Sequence, residues 1–592
     1  MTVAAAALPE AGDTPPLLGV ERSLCDCRWA GLSPDEDRLA QAIAQSAGIA
    51  DAVARVLARR GLAPSAAAAY LAPTLRDLLP DPSALRDMDA AAERLVRAVV
   101  RSERIAVFAD YDVDGGASAA LLARWLRVQG RPATVYVPDR IAEGYGPNAA
   151  AMRSLGAAHD LVVCVDCGTH GAAPLDAAAC DVVVIDHHQG TPTLPPALAV
   201  VNPNRADEDG ALGQLCAAGV VFLLLVAANR VLRREGREPP DLMPLLDLVA
   251  LATVADVSPL TGVNRAFVRQ GLRVMRGCLR PGLAALAGSA RLGGPPTTYA
   301  LGFVFGPRVN AGGRVGTADL GARLLATDDP HEAAALAERL ERLNAERRDV
   351  EAAVRAAAEA QIAARGSGDG PLVWAAGEGW HPGVVGIVAA RLKDAFGLPA
   401  VVVGLDGEAG KGSGRSVAGV DLGAVVAALL AEGHLTAGGG HAMAAGLSVA
   451  RDRLPEAMER LAELLARQGA GLVRQRTLRI DAVLGPGAAT PELCDALEAA
   501  GPYGAGSPAP RVVMPSATIA NARPVGEGHL ALTIAGESGG RIDGIAFRCA
   551  GTALGEALAR GHGRLHLAGR IELDEWNGRR RVKLCVDDAA HA

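Results

Sequence analysis

Unbroken apolar runs of four or five residues, each closed by polar or turn residues, recur in the first third of the chain: IAVFA at 105–109, LVVCV at 161–165 and VVVI at 182–185. Runs this short with no polar alternation predict strands buried on both faces, as in a parallel sheet. Further short strands are predicted at 134–137 and 198–201, with helical segments at 118–128, from about 148 and from about 171. Strands alternating with helices at this spacing predict a doubly wound α/β domain. Apolar helices follow at 216–234 and 242–254.

The helical signal is longest at 330–366, where Asp329-Pro330 starts it and Leu336, Leu340 and Leu343 supply an apolar stripe. A helix of ~35 residues spans ~50 Å, too long for a small core, so it reads as a connector between two lobes. After a Gly-rich stretch at 366–370 a second α/β pattern begins, with strands at 372–375 and 400–403, a helix at 384–393, and helices near 421–431 and 452–468. From about 475 the texture changes to short β-runs such as HLALTIAG, RIDGIAF and RLHLAGRIEL. Asn577-Gly578 between two of them predicts a type I′ hairpin, and the whole stretch a small barrel of the oligonucleotide-binding (OB) type.

A chain of 592 residues must divide into several domains. Its formal net charge of −7 gives no global field for nucleic acid, although a local basic channel suffices for binding. Ten scattered cysteines do not form a disulfide framework. Cys164 and Cys167 have no second pair at zinc spacing and read as small apolar residues at a strand end. The N-terminal stretch lacks the features of a signal peptide, and no run reaches the ~18 apolar residues of a membrane span. A cytoplasmic protein is expected.

The chemistry sits where the buried runs end. Asp110, Asp112 and Asp114 follow the first, Asp166 the second, and Asp186, His187 and His188 the third. In open α/β sheets, ligands collect beyond the carboxyl ends of the strands, so these donors are expected to share one rim. Three Asp in five positions repel one another without a cation; the plain alternative is a solvated loop or helix cap. Asp256 ends an apolar helix, where the dipole disfavours a carboxylate. A mixed oxygen and imidazole set favours Mn2+ over Mg2+, and two such ions serve phosphoryl hydrolysis.

DYDVDG, CVDCGT, VIDHH and TVADVSPL occur in the order found in the DHH phosphoesterase superfamily. EGYG at 143–146, GPRVNAGGR at 306–314, KGSGRS at 411–416 and GGGHAMAAG at 438–446 extend the likeness, and the chain from about 50 to 590 resembles the RecJ family of single-stranded-DNA-specific exonucleases. The resemblance implies a flexible N-terminal tail at 1–45, a DHH catalytic domain at 46–328, a connecting helix at 329–366, a DHH-associated domain at 367–470 and an OB-fold nucleic-acid-binding domain at 475–592. It implies two Mn2+ ions, with Mg2+ a substitute: one held by Asp112 and Asp166, the other by Asp114, Asp166, His187 and Asp256. Asp166 would bridge them, His188 would contact the scissile phosphate, and Asp110 would support the cluster. Many DHH proteins carry a histidine where this chain has Phe108, which implies a more weakly held first ion and a need for added Mn2+.

The same resemblance makes Ser413 and Arg415 candidates to grip a terminal 5′-phosphate, places Arg140, Arg308, Asn310 and Arg314 along the strand path, and sets His441 across from the metals. A plain glycine turn is the competing reading of GKGSGRS. Trp576 with Arg579, Arg580, Arg581 and Lys583 reads equally as a base-stacking surface or as an exposed charged hairpin. The activity implied is Mn2+-dependent 5′-to-3′ hydrolysis of single-stranded DNA to 5′-mononucleotides in repair and recombination. A monomer is expected, with a helicase and single-strand-binding protein as partners and no membrane. The rivals are a DHH phosphodiesterase for oligoribonucleotides or cyclic dinucleotides, and a catalytically silent DHH scaffold.

Overall fold

The computed structural model describes residues 15–140, 142–277, 280–366, 370–471, 476–537, 539–561, 563–576 and 579–592. The chain forms two compact units, one from Asp81–Asp256 and Gly271–Val473, the other from Met1–Pro80, Val257–Gln270 and Arg474–Ala592.

The first unit is built on five parallel strands: β1 (Ile105–Ala109), β2 (Thr134–Tyr136), β3 (Leu161–Val165), β4 (Asp181–Ile185) and β5 (Ala199–Val201), in the order β2-β1-β3-β4-β5. All residues of β1 and β3 are buried, which is why their sequences show no alternation. One face of the sheet packs Phe108, Cys164 and Val184 against Met152 and Leu155 of the helix Ala149–Ala158. Over β1 lies α1 (Val113–Val128), which packs on α2 (Ala217–Arg234) and α3 (Leu246–Ala255). The sequence places the start of α1 at 118; it starts five residues earlier because Asp112 caps it, accepting from the amides of Asp114 and Gly115. A π-helical turn, Ala300–Phe305, runs directly into α4 (Gly306–Val315).

The connector is α5, Pro330–Arg365, 36 residues long. Asp329 caps its start, Pro330 opens it and Gly366 ends it in the left-handed conformation. Val354, Ala358 and Ile362 near its end pack on Val384, Val388 and Leu392 of α6 (Pro382–Phe396) in the second lobe. That lobe holds a five-stranded mixed sheet in the order Ala437–His441, Ala444–Ala450, Ala409–Arg415, Ala400–Asp406, Val373–Glu378.

The second unit contains a closed barrel. Val512–Val525 pairs with His529–Ala535 on one side and Leu565–Trp576 on the other, while Arg541–Ala546 and Arg579–His591 complete the ring. The helix Ala553–Arg560 lies between the third and fourth barrel strands, and the architecture is an OB fold. Asn577 and Gly578 of the expected hairpin lie outside the described residues.

The expectation of a flexible tail at 1–45 is corrected for its described part, while residues 1–14 lie outside the described residues. Cys27–Ala30 pairs in parallel with Arg476–Arg479, and Pro34–Ala47 is a helix with a complete capping box from Ser33 and Glu36. Trp29 is fully buried, its Nε1 donating to Asp588 Oδ2 at 2.8 Å. A four-residue strand whose partner lies at the far end of the chain leaves no periodic signal of its own. The described residues before 80 therefore fold with the barrel and not with the α/β lobe. Among the described residues, no helix is long and apolar enough to cross a membrane.

Candidate metal centre

Three aspartates stand level at the ends of adjacent strands. The sheet register aligns Ala109, Val165, Ile185 and Val201. The amide of each following acid extends the ladder by one bond: Asp110 to Val165, Asp166 to Ile185 at 2.9 Å and Asp186 to Val201 at 3.0 Å. The sheet alone thus sets one row of carboxylates along the rim.

Local structure completes the cluster. Asp112 is the N-cap of α1, and Asp114 lies in its first turn, so the helix turn and not strand alternation sets their spacing. Asp114 is buried, accepting from the amides of Ala217 at 2.6 Å and Ala218 at 2.8 Å at the start of α2. A helix N-terminus is where an anion is held most favourably. His187 Nε2 lies 3.3 Å from Asp166 Oδ1 and 3.7 Å from Asp114 Oδ2. Asp256 caps the end of α3. Donor atoms converge in three overlapping groups, each within 4.8 Å: Asp110, Asp112 and Asp166; Asp114, His187 and Asp256; and Asp166, His187 and His188.

These residues fit divalent cations on two grounds. Oδ1 of Asp110 and Oδ1 of Asp166 are buried with no hydrogen-bond partner, which is costly for a carboxylate. Burial, together with Asp112 for Asp110 and with Asp114 and Asp112 for Asp166, lifts both carboxyls well above the usual range. Burial and the neighbouring Asp256 push Asp114 up to about 7. Asp166 also holds a left-handed backbone, φ 59°, unusual for a non-glycine residue and tolerated best by Asp and Asn. Cations held among these groups would offset the repulsion that burial amplifies.

His188 sits in a different electrostatic setting. Its Nδ1 lies 2.8 Å from Asp186 Oδ1, and the same oxygen accepts from the amides of His187 at 2.7 Å and His188 at 3.2 Å. Thr169 N donates to the other Asp186 oxygen at 3.0 Å. Burial disfavours the charged ring, but Asp186 outweighs it and raises His188 to about 9. The same bonds hold Asp186 far below the ordinary carboxylate range despite its burial. Asn202 and Asn204 fix the loop by donating to the carbonyls of His188 and His187. Tyr145, within the EGYG motif, reaches His188 Nδ1 at 3.0 Å and the Asp166 carbonyl at 3.2 Å. Asn202, Asn204 and Tyr145 are not among the site residues expected from sequence, and Asp186 is expected at the rim but with no role assigned. Asp186 carries a visible signal, as a third strand-end acid beside the His pair; the asparagines act across 14 to 17 residues and carry none.

A basic pocket forms where α4 meets the second lobe. Arg314 Nη1 donates to the Gly383 carbonyl at 2.9 Å, and Arg415 Nη1 to Ser413 Oγ at 2.9 Å. Arg140 lies over the Tyr111 ring at 5.1 Å. Among the described residues, none of the three arginines forms an ion pair with a carboxylate. Burial and the nearby Arg140 lower both Arg314, to about 10, and Arg415. Half-buried arginines that repel one another, with no carboxylate in ion-pair contact, can receive an anion. Cross-strand pairing to Ala444 sets His441 and Arg415 level on either side of it.

Two predicted strand contacts are otherwise engaged. Arg308 pairs with Glu341 of the connector and donates to the Val304 carbonyl at 2.8 Å. Asn310 Oδ1 accepts from the Val113 amide at 3.0 Å, and a Cβ on Gly313 would meet Tyr111 at 2.9 Å. The GPRVNAGGR segment therefore braces the DYDVDG loop. Phe108 is buried in the sheet core, stacked on Tyr136 at 5.4 Å. The side chain of Trp576 lies outside the described residues.

Residues 104–253 match the DHH family, N-terminal domain; residues 369–467 the DHHA1 domain; and residues 480–588 the RecJ OB domain. The single-stranded-DNA-specific exonuclease RecJ of Bacillus subtilis is 33% identical over 572 residues, covering 95% of this chain and 71% of that protein. The chain belongs to the RecJ family. RecJ of Escherichia coli is 34% identical, with 85% of this chain and 90% of that one covered. The crystal structure of RecJ from Thermus thermophilus in complex with Mn2+ superposes with a TM-score of 0.79 at 30% identity, over 95% of this chain and 80% of that one. RecJ from the same organism has also been solved with Mg2+, at a TM-score of 0.73.

Proposed function

We propose that this RecJ-family chain is a divalent-metal-dependent exonuclease that hydrolyses single-stranded DNA from its 5′ end to 5′-mononucleotides, in DNA repair and recombination. The convergence of Asp110, Asp112, Asp114, Asp166, His187 and Asp256 into overlapping donor groups carries this reading. Asp112 and Asp166 would hold one cation and Asp114, Asp166, His187 and Asp256 the other, with Asp110 buttressing the first. Bound there, Mn2+ or Mg2+ supplies charge neutralisation and Lewis acidity for phosphodiester hydrolysis.

The chain's own groups do the rest. His188, kept protonated by Asp186, donates to a non-bridging oxygen of the scissile phosphate and offsets charge that grows during attack. Arg140, Arg314, Arg415 and Ser413 hold the terminal phosphate, which fixes the 5′ end at the metals and sets polarity. His441 stands level with Arg415 on the same sheet and faces the same strand. The OB barrel binds the trailing strand. The family resemblance supports action as a monomer in the cytoplasm, alongside a helicase and single-strand-binding protein.

The test is turnover with Mn2+ on 5′-phosphorylated single-stranded DNA, against duplex DNA, RNA and strands blocked at either end. Release of 5′-mononucleotides from the 5′ end of unpaired DNA is expected. Equal cleavage of short oligoribonucleotides, or release from the 3′ end, would overturn the assignment.

A further inference from the structure

Only seven of the 592 residues are phenylalanine, and Phe108, Phe222, Phe267 and Phe305 are buried. Phe303 is 69% exposed, and beside it Tyr299 is 68% exposed. Their rings stack on each other, centroids 5.0 Å apart and planes 29° apart. Two large rings held against each other in solvent bury little of their own surface, so the pair does not serve the core.

The pair has a specific place in the molecule. Phe303 lies in the π-helical turn Ala300–Phe305, with Tyr299 as its N-cap. Such turns are uncommon and gather at functional sites. This one is pressed onto the last turn of α3: a Cβ on Gly302 would meet Val254 Cγ1 at 3.4 Å, and one on Gly306 would meet Ala255 Cβ at 3.5 Å. The residue that follows α3 is Asp256, a member of a donor group. At its other end the turn continues without a break into α4, which carries Asn310 against the metal loop and Arg314 in the basic pocket. The aromatic pair is thus fixed to both the metal centre and the phosphate pocket through short, rigid backbone.

We infer that Tyr299 and Phe303 form a stacking shelf for unpaired bases of the substrate strand. The inference rests on the single-stranded-DNA reading above and adds residues to it. Every base has a π-face, so a shelf of two rings accepts any sequence, whereas bases already paired and stacked in a duplex cannot be offered to it. Selection for single strands then has a source in attraction as well as in exclusion.

The experiment uses the full chain and the double substitution Tyr299→Ala with Phe303→Ala, which removes only exposed groups. An equal Mn2+-induced rise in melting temperature for both proteins confirms an intact centre. Two substrates are compared: 5′-phosphorylated oligo-dT and the same strand with abasic residues near its 5′ end. The wild type should show KM about 10-fold or more lower on the normal strand. In the double variant KM on the normal strand should rise by about that factor, kcat should stay within about twofold, and the abasic penalty should vanish. Tyr299→Phe with Phe303→Trp should restore the wild-type pattern. A 2-aminopurine placed near the 5′ end gives a readout without turnover, since binding should quench it in the wild type and not in the variant. An unchanged KM, a retained abasic penalty or an equal quench would overturn the shelf. No turnover by a wild type that still quenches the probe would overturn the nuclease reading and leave the shelf standing.

Discussion

Asp186 and His188 form a buried carboxylate–imidazole pair, Oδ1 to Nδ1 at 2.8 Å, beside but not within the carboxylate cluster. The carboxylate is fully buried and holds the ring in one orientation and one charge state. Asp186→Asn keeps the shape and removes the anion. Turnover should fall by about 100-fold with KM little changed, as for loss of a positioned proton donor. The alkaline limb of the pH–rate profile, set by His188 near 9, should move to lower pH in the variant because the charge that raises the ring is gone. Steady-state kinetics across pH check both outcomes; an unmoved limb would assign the proton donor elsewhere.

Asp166 belongs to two of the three donor groups, so Asp166→Ala should abolish cleavage. The metal-free protein should still fold, because loss of a buried carboxylate whose Oδ1 has no hydrogen-bond partner offsets part of the strain of alanine at φ 59°. Binding at ~100-fold excess over Kd stabilises a fold by about 2.7 kcal/mol. Melting curves with and without Mn2+ should show that gain in the wild type and little of it in the variant. A normal Mn2+ response would place the cations elsewhere.

Stability without metal should depend on pH in a definite direction. Asp114 is raised to about 7 in the fold, and Asp110 and Asp166 are raised well above their usual range. The native state therefore binds more protons than the unfolded chain between about pH 4, where free Asp titrates, and about pH 7, and loses stability as pH rises through that window. Thermal melts in EDTA should fall as pH rises from about 5.5 to about 7.5, while saturating Mn2+, which binds the deprotonated ligands, should flatten or reverse the trend. A chelated protein that gains stability over the same window would contradict the raised carboxyls.

Gly386 on α6 has no room to spare: a Cβ there would stand 3.0 Å from both Arg415 Nη2 and Ser413 Oγ. Gly386→Ala should leave folding and Mn2+ binding intact, since only side-chain tips must move, yet displace the guanidinium. The preference for a 5′-phosphate over a 5′-hydroxyl end should shrink about 10-fold or more, the worth of one charge-assisted hydrogen bond. Competition between the two strand types measures it, and Arg415→Ala should match it in direction.

Asn310→Ala tests the brace under the metal loop. It leaves the Val113 amide without its acceptor, a loss of about 1–3 kcal/mol for a buried donor. The Mn2+ concentration at half-maximal activity should rise while KM for DNA holds. A change confined to KM would return Asn310 to the strand path.

The strand-end acids were legible because buried parallel strands announce themselves as unbroken apolar runs, and the register leaves the next residue at the rim. The 36-residue connector was legible for a similar reason, with its Asp-Pro start and Gly stop both written in the chain. What sequence could not supply were partners set by tertiary packing. Asp114 finds its amides 103 and 104 residues away, on α2, and Arg308 is captured by Glu341 on the connector. The residues before 46 looked like a tail because a strand of four residues is recognised only by its neighbour, and that neighbour begins at Arg476.

That last pairing belongs to a seam between segments 559 residues apart in the chain. Trp29 is locked by Asp588, and the Leu24 amide donates to the Ala589 carbonyl. A nascent chain cannot close this seam until Asp588 has left the ribosome, and a chain cut short of that residue would strand Trp29 without its acceptor. The OB unit is therefore no detachable cassette: excising it at residue 475 would unravel what the opening residues had begun.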